Sequence, residues 1–388
     1  MRQYRIKKSE CQEEHNFLTK LGNSWCMKKQ LVEKEGFSEG KKPQQFAKQL
    51  LYWNRCENNR QMPWKGEKDP YKIWLSEVML QQTRVEQGLK YYQNFIQAFP
   101  DVHALAAAPE ERVFKLWEGL GYYSRCRNLI QTAKYIAAEL NGVFPRSYEE
   151  VLALKGIGTY TAAAIVSFAY NLPYAVLDGN VFRVLSRIFD INVPIDSAAG
   201  KKRFAALAQA VLPNKKAGEY NQAIMDFGAT ICKPVPLCSD CFYNKNCLAY
   251  LAGRQQLLPV KEKKLTLKKR WLNYFVLRCG NEVLIQQRSE KDIWQGLHHF
   301  FLIETAKACK TNELESMFQQ QAGITDYLVE EEWKQQQVLS HQRICFHFFS
   351  LKLKRKKKVE GYAWMPISEV RQLAFPRTLQ QVVQNVLL

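Results

Sequence analysis

Long uncharged apolar runs are missing: nowhere do the 388 residues hold one that could cross a bilayer. The opening, MRQYRIKKSECQEEHNF, has no apolar core of the kind that directs export, and its acids are unlike a transit peptide. These absences predict an intracellular, cytoplasmic protein with no membrane partner. Acids are also scarce. Asp and Glu number 37 against 56 Lys and Arg, giving a net charge of +19. Such an excess favours a polyanionic partner, although lysines that serve only solubility give the same count. An even, spread set of cysteines is lacking too. Of 11, seven are scattered and four crowd between Cys232 and Cys247, which argues against a disulfide framework. No strand pattern occurs before about residue 270.

What is present centres on LKGIGTYTAAAIVSFAYNLPYAVLDGNVFR, residues 154–183. Gly156 and Gly158 allow a turn where a side chain would clash. The run from Tyr160 to Ala169 reads as a helix of small residues, ended before Pro173. Free N–H groups at such a helix start suit a phosphate. A lone carboxylate, Asp178, follows. A backbone holder followed shortly by one acid suggests a protein that grips a nucleic acid and acts beside it.

The length predicts two domains. Residues 1–42 are polar and weakly patterned, and read as a flexible extension. From 43 to 255 the periodicity is helical. QQFAKQLLYWNRC puts Phe46, Leu50 and Trp53 on one face, and the segment from Tyr71 to Phe99 forms a helix pair or one broken helix. Asp101–Pro109 reads as a connection, two helices break at Gly119–Gly121, and Ser147 is a candidate N-cap. Residues 256–270 form a basic linker. From 271 to 388 strands appear, in WLNYFVLRCGNEVLIQQR, LHHFFLIET, RICFHFFSLKL and YAWMP, with helices in ELESMFQQQAG and TLQQVVQNVLL. The expected class is therefore an all-α domain followed by a smaller α/β domain.

Cys232, Cys238, Cys241 and Cys247 can surround one metal centre. Structural zinc and a four-iron cluster both fit four thiolates in so short a span. Zinc sites more often pair two tight Cys-x2-Cys knuckles, and only one is present. That favours the cluster, but spacing does not decide between them.

Five segments carry a resemblance: WLSEVMLQQT, LWEGLGYYSRCRNL, LKGIGTYTAAAI, VLDGNVFRVLSR and YNQAIMDFGATIC. In order and spacing, over about residues 43–250, they resemble the adenine glycosylases of the helix-hairpin-helix DNA glycosylase superfamily, the MutY family. The hairpin, loop and aspartate alone would also admit endonuclease III. Tyr160 stands where bifunctional lyases carry a lysine, so Schiff-base chemistry lacks its amine. Glu77 and the C-terminal domain also separate the two families.

The resemblance implies a monofunctional enzyme, a monomer on double-stranded DNA, that removes adenine opposite 8-oxoguanine or guanine. It implies a 4Fe-4S cofactor on the four cysteines. Glu77, among Leu75, Val78, Met79 and Leu80, would protonate the leaving adenine, its pKa raised by apolar neighbours. Asp178 would stabilise the oxocarbenium-like sugar. Tyr160 and Asn180 resemble residues lining the adenine pocket and placing water. Gln82 and Tyr122 resemble the wedges that fill the duplex when a base is flipped. Arg60 resembles an arginine near the acid, and Lys65 follows where many relatives have Arg. Taken singly, such a glutamate is more often a solvated helix residue and such an aspartate a cap or turn.

The C-terminal part resembles the Nudix-like domain of the same family. Glutamines at 319–321 replace the acids of a magnesium-binding helix, so it is expected to read and not to hydrolyse. Leu339-Ser340-His341 stands where the family has Phe-Ser-His. The Ser340 hydroxyl can accept from the N7–H that marks 8-oxoguanine. Five residues separate the first two cysteines, where relatives have six.

Overall fold

A computed structural model describes residues 42–262, 267–385 and 387. The expected N-terminal extension, apart from Lys42, lies outside the described residues, as does the middle of the basic linker. The described chain forms two compact units, one within residues 42–78 and 144–262, the other within residues 79–143 and 267–387.

The first unit is helical. Helix α1 (Lys42–Cys56) buries Phe46, Leu50 and Trp53, as its periodicity predicts. Helix α2 (Pro70–Leu80) enters this unit through Trp74 and Leu75, both almost fully buried. Ser147 caps α7 (Tyr148–Ala153) in a reciprocal capping box with Glu150. After the turn at Leu154–Gly158 comes α8 (Thr159–Tyr170), whose interior run from Thr161 to Ser167 is buried throughout. It ends at Asn171, in the left-handed conformation, two residues before Pro173. Helices α9 (Gly179–Ile188), α10 (Ala198–Val211) and α11 (Ala217–Thr230) complete the core around Phe204, Tyr220 and Phe227. A Cβ on Gly228 would stand 2.8 Å from the Asn180 Cβ, so glycine is what lets α11 approach the start of α9. The cysteine loop and the short α12 (Leu248–Leu251) follow.

In the second unit, α2 ends at Leu80 and α3 (Val85–Ala98) begins after a short turn. Residues 101–109 are not a bare connection: Asp101 accepts from the Ala104 N–H and starts α4 (Val102–Ala107). A helix of under two turns is too short to show a period, and its cap was the only available signal. Helices α5 (Glu110–Trp117) and α6 (Tyr123–Glu139) are separated at Gly119–Gly121, as expected.

The C-terminal part of this unit is a mixed sheet in the order β3-β2-β1-β6-β5, with β4 also on β1 and β7 on β2. Strand β1 (Lys268–Cys279) begins inside the stretch read as linker and runs parallel to β6 (Gln342–Lys352). β2 (Glu282–Gln287), β3 (His298–His299), β4 (Phe301–Thr305) and β7 (Ala363–Pro366) match the strand expectations. Strand β5 (Leu328–Val338) does not, because LVEEEWKQQQV is exposed nearly throughout and lacks alternation. Helix α13 (Thr311–Ala322) packs Leu314 and Phe318 on the sheet, and α14 (Ile367–Val370) and α15 (Arg377–Asn385) follow the last strand. No helix among the described residues is long and apolar enough to cross a membrane.

Candidate active site

Two acids lie within electrostatic reach of the Tyr160 phenol. Glu77 lies on α2 and is only 7% exposed. Burial raises its carboxyl to about 7, a hydrogen bond with Tyr160 opposes that shift, and the charge of Asp178 adds to it. Asp178 is half-buried and caps α9: one carboxylate oxygen accepts from the Val181 N–H at 2.7 Å, the other from the Asn180 amide at 2.8 Å. Burial raises its pKa, while these hydrogen bonds hold it down. The Tyr160 phenol is pushed well above its ordinary range by burial and then by the two carboxylates. Its hydroxyl also reaches the Met225 sulfur at 3.8 Å. Glu77, Tyr160, Asp178 and Asn180 are thus brought together, with the first acid suited to hold a proton near neutrality.

Asn180 is itself anchored. Arg183, one helical turn on, donates to its side-chain oxygen at 2.8 Å and to the carbonyls of Gly228 and Cys232 at 2.7 and 2.8 Å. Sequence reasoning did not single out Arg183. An arginine at i+3 from Asn180 was the available signal.

Arg60 is held by a buried acid. It donates to Asp226 at 2.9 Å, and Lys65 does so at 3.0 Å. Asn58 and Gln222 supply two further hydrogen bonds to the same carboxylate. Asp226 is fully buried and was missed, because a single acid in YNQAIMDFGATIC looks like an ordinary helix residue. Asp226→Ala removes the acceptor for four donors. Its unfolding free energy is expected to fall by about 3 kcal/mol, the lower end for a broken buried pair, since Arg60 and Lys65 can reach water. Urea unfolding of both proteins checks this.

Gly156 is left-handed (φ 79°), as a glycine turn requires. Gly158 is not: its backbone is ordinary, and a Cβ there would meet nothing within 4 Å. The expected clash is therefore absent at Gly158. The helix start it caps has no side-chain cap.

In the second unit, Gln82 (φ 57°) and Tyr122 (φ 48°) both adopt the left-handed conformation. The Tyr122 hydroxyl hydrogen-bonds the hydroxyl of Ser340. Leu339, Ser340 and His341 form the tight turn between β5 and β6, closed by the Leu339 N–H on the Gln342 carbonyl at 2.7 Å. The Ser340 and His341 side chains are exposed.

Cys232, Cys238, Cys241 and Cys247 line one pocket with Arg187, Phe227 and Tyr250. Among the described residues no three His, Cys, Asp or Glu side chains converge as they would on a single metal ion. The loop is tied to α9 through Arg187, which donates to the carbonyls of Lys233 and Pro234 at 2.6 and 2.8 Å and lies 3.5 Å from the Cys232 sulfur. The Tyr243 N–H points at the Cys241 sulfur at 3.4 Å. Burial pushes the Cys241 and Cys247 thiols up to about 12 and about 11.

A helical unit with a hairpin and paired acids, joined in one chain to a mixed sheet, defines a class. Residues 75–209 match the model of the HhH-GPD superfamily of base excision DNA repair proteins, and residues 273–385 match a NUDIX domain. The protein is thus a DNA glycosylase, with a helix-hairpin-helix domain followed by a NUDIX-like one. An adenine DNA glycosylase of Buchnera aphidicola subsp. Baizongia pistaciae is 38% identical over 257 residues, covering 66% of this chain and 73% of its own. One from Mus musculus is 41% identical over 215 residues, covering 53% of this chain and 42% of its own. A solved thermostable thymine-DNA glycosylase is 28% identical with a TM-score of 0.51, covering 55% of this chain and 98% of its own. The chain belongs to the adenine DNA glycosylase family.

Proposed function

We propose that the protein removes adenine mispaired with 8-oxoguanine, or with guanine, from double-stranded DNA. The observation that carries the reading is the buried Glu77 carboxyl, held near 7 beside Tyr160 and Asp178. Adenine is a poor anionic leaving group. In an extruded nucleotide, Glu77 gives its proton to a ring nitrogen so that the base departs neutral. Asp178 supplies the anion that the oxocarbenium-like sugar requires, and Asn180 places the attacking water. The helix start at Gly158 and the turn at Gly156 take a backbone phosphate. Gln82 and Tyr122 fill the duplex. Arg60, fixed by Asp226, lends positive charge on the DNA side. Ser340 reads the opposite base from a turn that touches Tyr122, with His341 beside it. The domain bounds follow as 43–255 for the glycosylase part and 271–388 for the reading part. Duplexes with adenine opposite 8-oxoguanine or thymine test the reading. Free adenine from the first alone supports it; strand nicking without heat or alkali would assign the pyrimidine-type lyase chemistry instead.

The four cysteines would hold a 4Fe-4S cluster, whose part here is to fold the loop against α9. The pocket they line, and the N–H groups directed at Cys232 and Cys241, fit a cluster whose sulfurs accept hydrogen bonds. Thiols with such raised values would lose their protons only to a metal. The purified protein is expected to be brown and to hold iron and acid-labile sulfide in equal amounts. A colourless protein holding one zinc would overturn the assignment.

A further inference from the structure

Arg125, on α6, makes an unusual set of contacts for a buried arginine. Only 8% of it is exposed, and its guanidinium serves two separate turns. One nitrogen donates to the Met79 carbonyl at 2.9 Å, at the end of α2. The other reaches the Thr83 hydroxyl at 3.4 Å and the Gly121 and Leu120 carbonyls at 3.2 and 3.5 Å. These partners bracket Gln82 on one turn and lead directly into Tyr122 on the other. The guanidinium also lies 5.3 Å from the ring centres of both Trp117 and Tyr122. Trp117 in turn donates to the Gly121 carbonyl at 3.0 Å.

Gln82 and Tyr122 share the left-handed backbone that side chains disfavour. Residues held so persist only where surroundings over-determine them. Arg125 contacts both turns, and a planar guanidinium with fixed donors can hold two carbonyl sets at a set angle, as an ammonium cannot. We infer that Arg125 is a positioning residue that locks the Gln82 and Tyr122 turns to each other, so that the two side chains enter the duplex as one preformed wedge pair. The inference rests on the wedge reading of those residues. It adds that their spacing is set before DNA arrives, by a residue that itself touches neither base nor sugar.

A wedge is needed only to take a base out of the stack. Arg125→Lys is therefore compared with the parent protein on two substrates. One is adenine opposite 8-oxoguanine in a fully paired duplex. The other is the same pair inside a mismatched bubble, where the base is already unstacked. Single-turnover adenine release is expected to fall roughly 100-fold on the paired duplex, the loss typical of about an ångström of misplacement. On the bubble it should fall by less than about tenfold on the same scale. A general packing defect would lower both alike, and equal losses, or no loss, would overturn the inference. Gln82→Ala and Tyr122→Ala serve as references. If they show no such difference between substrates, the wedge reading fails and takes the inference with it. If they show it and Arg125→Lys does not, only the inference fails. Should Arg125→Lys melt early or lose affinity for undamaged duplex, Arg125→Gln, which keeps two donors, is read by the same comparison.

Discussion

Glu77→Gln is expected to abolish adenine release, by at least roughly 1,000-fold, within the range for loss of a positioned general acid. Binding to the mispaired duplex should persist, because Gln preserves shape and one hydrogen-bonding oxygen. The pH dependence follows from the same buried carboxyl. It works only while protonated, and its value of about 7 puts the loss of activity above neutrality. Single-turnover rates should level off below about pH 7 and then fall about tenfold per unit above it. Stability should fall with rising pH too, but in a lower window. The folded value lies above the ordinary 4.5, so the folded protein binds more protons than the unfolded chain between 4.5 and 7. Stability therefore falls as pH rises through that window, and the penalty is complete above about 7. The difference corresponds to about 3 kcal/mol. Gln cannot ionise, so at pH 8 the variant should regain up to that amount, less about 1 kcal/mol for the weakened Tyr160 contact. At pH 4 the gain should vanish. Urea unfolding at the two pH values checks it, and an inactive variant that is less stable at pH 8 would sink the account.

Much of this architecture was legible because its elements are long and amphipathic. Phe46, Leu50 and Trp53 recur at helical spacing and are buried together, and the break at Gly119–Gly121 falls where two glycines meet. The failures have one physical origin: the deciding interactions are local or polar. Helix α4 is set by a cap and fewer than two turns. Strand β5 is fixed by its pairing with β6 while its own face stays in water, so its sequence carries no pattern. The site divides the same way. Glu77, Asp178 and Tyr160 could be named from motifs, but the hydrogen bond of the phenol with Glu77 could not, since it joins helices remote in sequence. Asp226, Arg125, Arg183 and Arg187 leave no trace in periodicity, because each acts by gathering carbonyls or donors from segments remote in sequence.

Asp178→Asn separates the aspartate's two roles. As a cap for α9, Asn serves about as well, so unfolding free energy should change by less than about 1 kcal/mol. As an anion facing a developing cation it has no substitute. The rate should fall by roughly 1,000-fold, the upper range for removing one preorganised electrostatic contact in a dry site. The residual activity carries a second readout. The charge on Asp178 helps to raise the Glu77 carboxyl, so removing it lowers the Glu77 value by reciprocal coupling. In Asp178→Asn the alkaline fall in rate should begin at lower pH than in the parent protein. An unchanged fall, with the rate still reduced, would mean that the two carboxylates do not sense each other. An acid on one side of the extruded nucleotide and an anion on the other would then no longer describe this site.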